Sequence, residues 1–195
     1  MDEVYKIPEE YIGNKRGEYL KNAEACMLTA YIWSLRSKDP STQVGACFVS
    51  ESGRIISIGY NGTPNGWSDD EFPWDKPSDA KHSKYSYVVH AEMNAIANYD
   101  GPVADFRGST LYVTLFPCEN CAKNLVQFGI KKIVYLSDKY VGTNGNESAK
   151  LTLSKCGIKV VSFEEINENG LENLELPLDV EKEKPKMIRY IKNNG

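Results

Sequence analysis

Thr110-Leu111-Tyr112-Val113-Thr114-Leu115-Phe116-Pro117-Cys118-Glu119-Asn120-Cys121 is the stretch whose reading decides the fold. Its first half is β-branched, aromatic and apolar, and predicts a strand. Pro117 suits a strand-to-helix turn, and Cys118 to Phe128 predicts a helix. Spaced i, i+3, Cys118 and Cys121 fall on one face of that helix. Upstream, Tyr85 to His90 runs into the alanine-rich segment Ala91 to Ala97, which predicts a helix opening near His90.

Outward from this unit, Glu18 to Ser37 predicts a helix with apolar positions at Leu20, Ala23, Met27, Ala30, Tyr31 and Leu35. Val44 to Ser50 and Arg54 to Tyr60 predict two strands of a hairpin, turned at Glu51-Ser52-Gly53. Asn61 to Asp79 is a loop rich in Gly, Pro, Asn and Trp, long enough to suggest a function. Lys132 to Leu136 predicts a strand, Glu147 to Cys156 a short helix and Lys159 to Phe163 a last strand. The order implies an α/β domain: about five strands in a mixed sheet, helices on both faces, and parallel crossovers after the hairpin. Residues 1–17 read as a polar N-terminal arm, 18–163 as the domain, and 164–195 as a charged C-terminal extension.

Zinc is bound by imidazole and thiolate, and His90, Cys118 and Cys121 supply three such ligands. A structural site is closed by four protein ligands, whereas a catalytic site keeps one position for water. Helix N-termini favour the thiolate form that ligates metal. A glutamate two residues after the histidine, Glu92, is placed to move the protons of such a water. The competing reading is a structural zinc closed by Cys26, Cys47, Cys156 or His82, but it leaves Glu92 without a role. Each half-motif alone is weak, since C-x-x-C also marks redox and structural sites. In this order, with Pro117 before Cys118, they match the H-x-E…P-C-x-x-C signature of zinc-dependent nucleobase deaminases.

The chain also resembles the deoxycytidylate (dCMP) deaminase family. The likeness runs through Arg36-Ser37-Lys38-Asp39-Pro40-Ser41-Thr42-Gln43-Val44-Gly45, then Gly59-Tyr60-Asn61-Gly62-Thr63-Pro64-Asn65-Gly66 and Trp67-Ser68-Asp69-Asp70. It continues through Leu115-Phe116-Pro117-Cys118 and Ser137-Asp138-Lys139-Tyr140, and covers roughly residues 18–163. The resemblance implies the three-layer cytidine-deaminase-like fold, one catalytic Zn²⁺ per chain, and hydrolysis of dCMP to dUMP for thymidylate synthesis. It implies a homohexamer, activation by dCTP and inhibition by dTTP. Glu92 is then the catalytic residue, and Arg36, Asn61, Ala91 and Tyr140 are substrate candidates. Gly59, Tyr60, Asn61, Gly62, Asn65 and Gly66 are effector candidates, with Mg²⁺ possible beside a triphosphate effector.

Residue chemistry is compatible. Arg36 or Lys38 beside Ser41 and Thr42 offers donors for a monophosphate. Tyr140 offers a face for a base, and the Asn61 amide a partner for a sugar hydroxyl or, alternatively, a turn residue. Asp69 and Asp70 are candidate carboxylates for a metal at a triphosphate. The 195-residue chain carries a formal net charge of −4, which disfavours long nucleic acid but suits a small nucleotide. No apolar run approaches a membrane span, and Met1-Asp2-Glu3-Val4-Tyr5 lacks the basic-then-apolar pattern of a signal peptide. Five cysteines, two of them in the proposed metal set, predict a reducing cytoplasm rather than a disulfide framework. Other readings of the motif are a deaminase of another base or of RNA, and a non-catalytic zinc or nucleotide-binding module.

Overall fold

A computed structural model describes residues 9, 12–15, 17 and 19–167. Most of the expected N-terminal arm and the C-terminal extension from residue 168 onward lie outside the described residues. Five strands form one sheet in the order β2-β1-β3-β4-β5. β1 (Gly45–Val49) and β2 (Ile55–Tyr60) make the antiparallel hairpin. β3 (Thr110–Leu115) runs antiparallel to β1 but parallel to β4 (Lys132–Ser137), and β4 runs parallel to β5 (Lys159–Ser162). The sheet is therefore mixed, as expected.

Period-two alternation explains why both faces of the sheet are covered. Ala46, Phe48, Leu111, Val113 and Ile133 face one core, shared with α2 (Ala91–Ala97), α3 (Glu119–Gln127) and α4 (Asn144–Lys155). Their strand neighbours Cys47, Val49, Tyr112 and Val134 face the other, shared with α1 (Asn22–Ser34) through Cys26, Met27 and Ala30. Phe163 and Ile166 of a short α5 (Phe163–Asn167) pack on that second core, so the packed body extends past β5.

Boundaries differ from expectation where caps intervene. α1 starts at Asn22 rather than Glu18, because the Glu24 carboxylate accepts the Lys21 N–H at 2.7 Å and closes the first turn there. It ends at Ser34, where the N–H groups of Leu35, Arg36 and Ser37 turn back to carbonyls three residues earlier. α4 starts at Asn144, earlier than Glu147, since the Thr143 hydroxyl accepts the Asn146 N–H at 3.3 Å. Among the described residues no helix is long and apolar enough to cross a membrane.

Candidate metal and catalytic site

His90 is the N-cap of α2 and Cys118 the N-cap of α3, so two helix starts meet at one place. α2 is held there from below by β2. A Cβ on Gly59 would fall on the backbone of Ala91 and Ala95, and the Ser57 hydroxyl donates to the Ala95 carbonyl at 2.5 Å. Close packing, made possible by glycine, thus sets the height of α2 over the sheet. α3 follows β3 through the buried Pro117.

The donor atoms converge. Nδ1 of His90 lies 3.4 Å from Sγ of Cys118 and 3.3 Å from Sγ of Cys121. All three donors lie within 4.8 Å of one another. Tetrahedral zinc with ordinary Zn–S and Zn–N bonds needs S···N edges of about 3.6 Å. The residues fit a zinc ion. None of the alternative fourth ligands joins the group. Cys26 and Cys47 are buried in the second core, Cys156 is exposed, and His82 pairs with Asp79 at the surface.

Among the three donors, electrostatics favour a thiolate at Cys118. The Cys121 thiol, aided by His90, holds Cys118 down to about 3, while the same contact with Cys118 and burial push Cys121 up. Cys118 in turn raises His90 to about 9. Glu92 sits in the first turn of α2, 3% exposed. Burial raises its carboxyl above the usual range, against the opposing pull of His90.

His90, Glu92 and Cys118 open into a cavity of about 410 Å³, a size typical of small-ligand sites. It lies at the carboxyl end of β3, where the sheet changes from antiparallel to parallel pairing, the usual ligand position in such sheets. Asn61, Ala91 and Tyr140 line it, as does Thr42. Asn61 is 6% exposed and largely committed. Its Oδ1 accepts the Val44 N–H at 2.7 Å, and its Nδ2 donates to the Thr42 carbonyl at 3.0 Å. Lys139 donates to the Thr42 hydroxyl at 3.1 Å, so the loop after β4 reaches the same wall.

Arg36 is not brought into that wall. It is exposed, with its guanidinium 5.7 Å from the centre of the Tyr60 ring, which stacks on Trp33. Lys38 pairs with Asp69 at 2.7 Å, and Asp69 also accepts from Thr63. Of the effector candidates only Asn61 lines the cavity. Gly59 is a packing position, Gly62 pairs with Val89, and Asn65 and Gly66 are exposed, Gly66 at φ 90°.

Sequence reasoning missed several wall residues. Lys84 and Asp39 form an ion pair there, each 3% exposed. Asp39 left a faint signal: its Oδ1 accepts the N–H groups of Ser41 and Thr42, the habit of an Asp before Pro-Ser-Thr. Nothing around Lys84 marks it as buried. Asn146 also lines the cavity, its amide donating to Asp138 at 2.6 Å and its buried Oδ1 meeting no hydrogen-bond donor among the described residues. The Thr143 cap was the readable signal for its position.

Comparison with known proteins agrees with this geometry. Residues 20–137 match the family model for the cytidine and deoxycytidylate deaminase zinc-binding region. The chain is 46% identical to a Mus musculus deoxycytidylate deaminase over 76% of its length and 83% of the relative's. It is 42% identical to the Homo sapiens deoxycytidylate deaminase, covering 83% of this chain and 96% of the human protein. A dCMP deaminase from the cyanophage S-TIM5, solved in complex with dCMP and dUMP, superposes with a TM-score of 0.57 at 30% identity, over 71% of this chain and 94% of that one.

Proposed function

Since this chain belongs to the cytidine and deoxycytidylate deaminase family, we propose that it hydrolyses dCMP to dUMP and ammonia. The observation that carries the reading is the meeting of three zinc donors with a buried carboxyl at one cavity. Zinc, when bound, supplies a Lewis acid that acidifies a water molecule. His90, Cys118 and Cys121 would hold the metal. Glu92 takes one proton from the water and passes it to a ring nitrogen of the cytosine, then takes the remaining proton from the new hydroxyl on C4 and delivers it to the departing amine, which leaves as ammonia. Burial raises its carboxyl above the usual range, which makes the carboxylate a better proton acceptor.

Asn61, Ala91 and Tyr140 are the proposed substrate contacts in the wall. The Asn61 side chain, committed to Thr42 and Val44, acts mainly by shaping that wall. Arg36, which stands over Tyr60, is assigned to the effector side rather than to the substrate phosphate. Regulation by dCTP and dTTP around Gly59 to Gly66, a homohexamer, a cytoplasmic setting and the supply of dUMP for thymidylate synthesis are further parts of the proposal. The family resemblance supports them, and the aromatic and cationic cluster of Trp33, Tyr60 and Arg36 supports the effector site alone. Mg²⁺ enters only as the counter-ion of a triphosphate effector.

Ammonia release from dCMP, CMP, dCTP, deoxycytidine and an RNA hairpin, each with and without dCTP or dTTP, tests the reading. dCMP is expected to be strongly preferred. Equal use of deoxycytidine removes the monophosphate assignment, and no release from dCMP removes the reading itself.

A further inference from the structure

The cavity wall carries a cation that the proposed chemistry does not use. Lys84 Nζ lies 2.6 Å from each carboxylate oxygen of Asp39, both side chains are 3% exposed, and both residues line the cavity. The carboxylate is saturated. Its Oδ1 also accepts the N–H of Ser41 at 2.8 Å and of Thr42 at 3.2 Å, and its Oδ2 accepts from Asn61 Nδ2 at 3.4 Å. The ammonium is not saturated. It has three N–H donors. Two serve Asp39, the Tyr85 ring stands 5.5 Å from Nζ, and no oxygen or nitrogen of a described residue accepts the third.

A buried ion pair must offset the lost hydration of both ions, and an apolar pair of similar volume often stabilises a fold as well or better. Stability alone therefore gives no reason for a lysine in this wall. We propose that Lys84 is a substrate-binding residue that donates its third N–H to an uncharged oxygen of the nucleoside part of the ligand, with Asp39 holding it in place. This rests on the deaminase reading above. The uncharged acceptor follows from electrostatics. Asp39 cancels the charge of Lys84, and a carboxylate that close to a phosphate dianion would repel it. A sugar hydroxyl or the base carbonyl meets no such repulsion.

Lys84→Met alone leaves Asp39 buried and unpaired, so the double variant Asp39→Asn/Lys84→Met is made beside it. Each is checked for folding by thermal melting and for zinc by elemental analysis, then assayed with dCMP and with deoxycytidine. For a folded, zinc-loaded variant, KM for dCMP is expected to rise about tenfold or more, the scale of a hydrogen bond to a charged donor. kcat/KM for deoxycytidine should fall by a similar factor, while kcat changes far less. An unchanged KM in a folded variant overturns the proposal. So does a loss confined to dCMP, which would make Lys84 a phosphate ligand. If neither variant folds, the unaltered protein decides the matter with dCMP analogues lacking the 3′-hydroxyl or carrying sulfur for the base carbonyl oxygen. At least one must bind about tenfold more weakly; if none does, the proposal fails. Unaltered protein that releases no ammonia from dCMP refutes the deaminase reading instead.

Discussion

Nδ1 of His90 lies 3.4 Å from Sγ of Cys118, although 28 residues separate them in the chain. Two helix caps make this distance, one on each side of β3 in sequence. Because the third donor, Cys121, belongs to the same turn as Cys118, the whole set depends on how α2 meets α3. Purified protein is expected to hold one zinc per chain, read by elemental analysis and placed by a metal-edge anomalous map. His90→Ala or Cys118→Ala should leave it largely zinc-free. Protons compete with zinc for these ligands, so release to a chelator should speed up as pH falls. A fourth protein ligand in the anomalous map would replace the catalytic reading with a structural one.

Glu92 is 3% exposed and faces the same cavity as His90. Glu92→Gln keeps the shape and removes the proton carrier. Zinc content and melting temperature should stay near those of the unaltered protein, while kcat for dCMP drops by about 10²–10⁴-fold or more. Retention of more than about a tenth of the rate would take the proton transfers away from Glu92.

The elements that carry this chemistry were legible because their signals are local. β3 matches its expected span residue for residue, and α2 and α3 begin within a residue of their ligands. The wall opposite was not legible. The burial of Lys84 depends on Asp39, 45 residues away, and no pattern around Lys84 announces that partner. Gly59 has a packing role that its sequence context does not announce. It precedes Tyr-Asn-Gly in what reads as a nucleotide loop, yet its hydrogen is what lets β2 touch α2. Periodicity locates strands and caps locate helix starts, but neither reports which polar side chains meet across a cavity.

The Asp39–Lys84 pair gives the protein an acid limit. Burial alone would raise the Asp39 carboxyl, but the Lys84 ammonium and the N–H groups of Ser41 and Thr42 outweigh it and hold the carboxyl below its usual range. A depressed folded-state pKa contributes stability that is complete above the unfolded value of about 3.9 and is lost as pH falls through the folded value. Melting temperature should therefore decline below about pH 4, and Asp39→Asn/Lys84→Met should lose part of that decline. Lys84→Met alone, leaving the carboxylate unpaired, should cost about 3–5 kcal/mol at neutral pH by denaturant titration. The same acid slope in the double variant would show that other carboxylates set it.

Gly59→Ala tests whether that residue serves packing or a ligand. Its Cβ would meet the backbone of Ala91 and Ala95 on the helix that carries Glu92, and backbone yields less than a side-chain tip. The variant should melt markedly lower, by the 1–3 kcal/mol typical of overpacking, and bind zinc less firmly. Gly66→Ala is the control. Gly66 has φ 90° and nothing within 4 Å of an added Cβ, so only backbone strain of about 1–2 kcal/mol is expected, with zinc unaffected. A Gly59→Ala protein of ordinary stability and zinc content, but altered response to triphosphates, would return the residue to the effector site.

The proposed regulation is assigned to the outer surface rather than to the cavity. The Tyr60 ring has Trp33 stacked 6.1 Å away and the Arg36 guanidinium at 5.7 Å, both outside the wall that holds Glu92. An effector bound there acts only by preferring one of two conformational states. A link to the site is present, since Asn94 of α2 donates to the Tyr60 carbonyl at 2.7 Å and so ties this surface to the helix of His90 and Glu92. The dCMP saturation curve is expected to be sigmoidal, to become hyperbolic with dCTP and Mg²⁺, and to shift the opposite way with dTTP. Arg36→Ala should blunt both responses while leaving kcat at saturating dCMP nearly unchanged. If Arg36→Ala instead raises the KM for dCMP far more than that for deoxycytidine, and leaves the triphosphate responses intact, the guanidinium serves the substrate phosphate. A hyperbolic curve that neither triphosphate moves would leave Trp33, Tyr60 and Arg36 a structural cluster only.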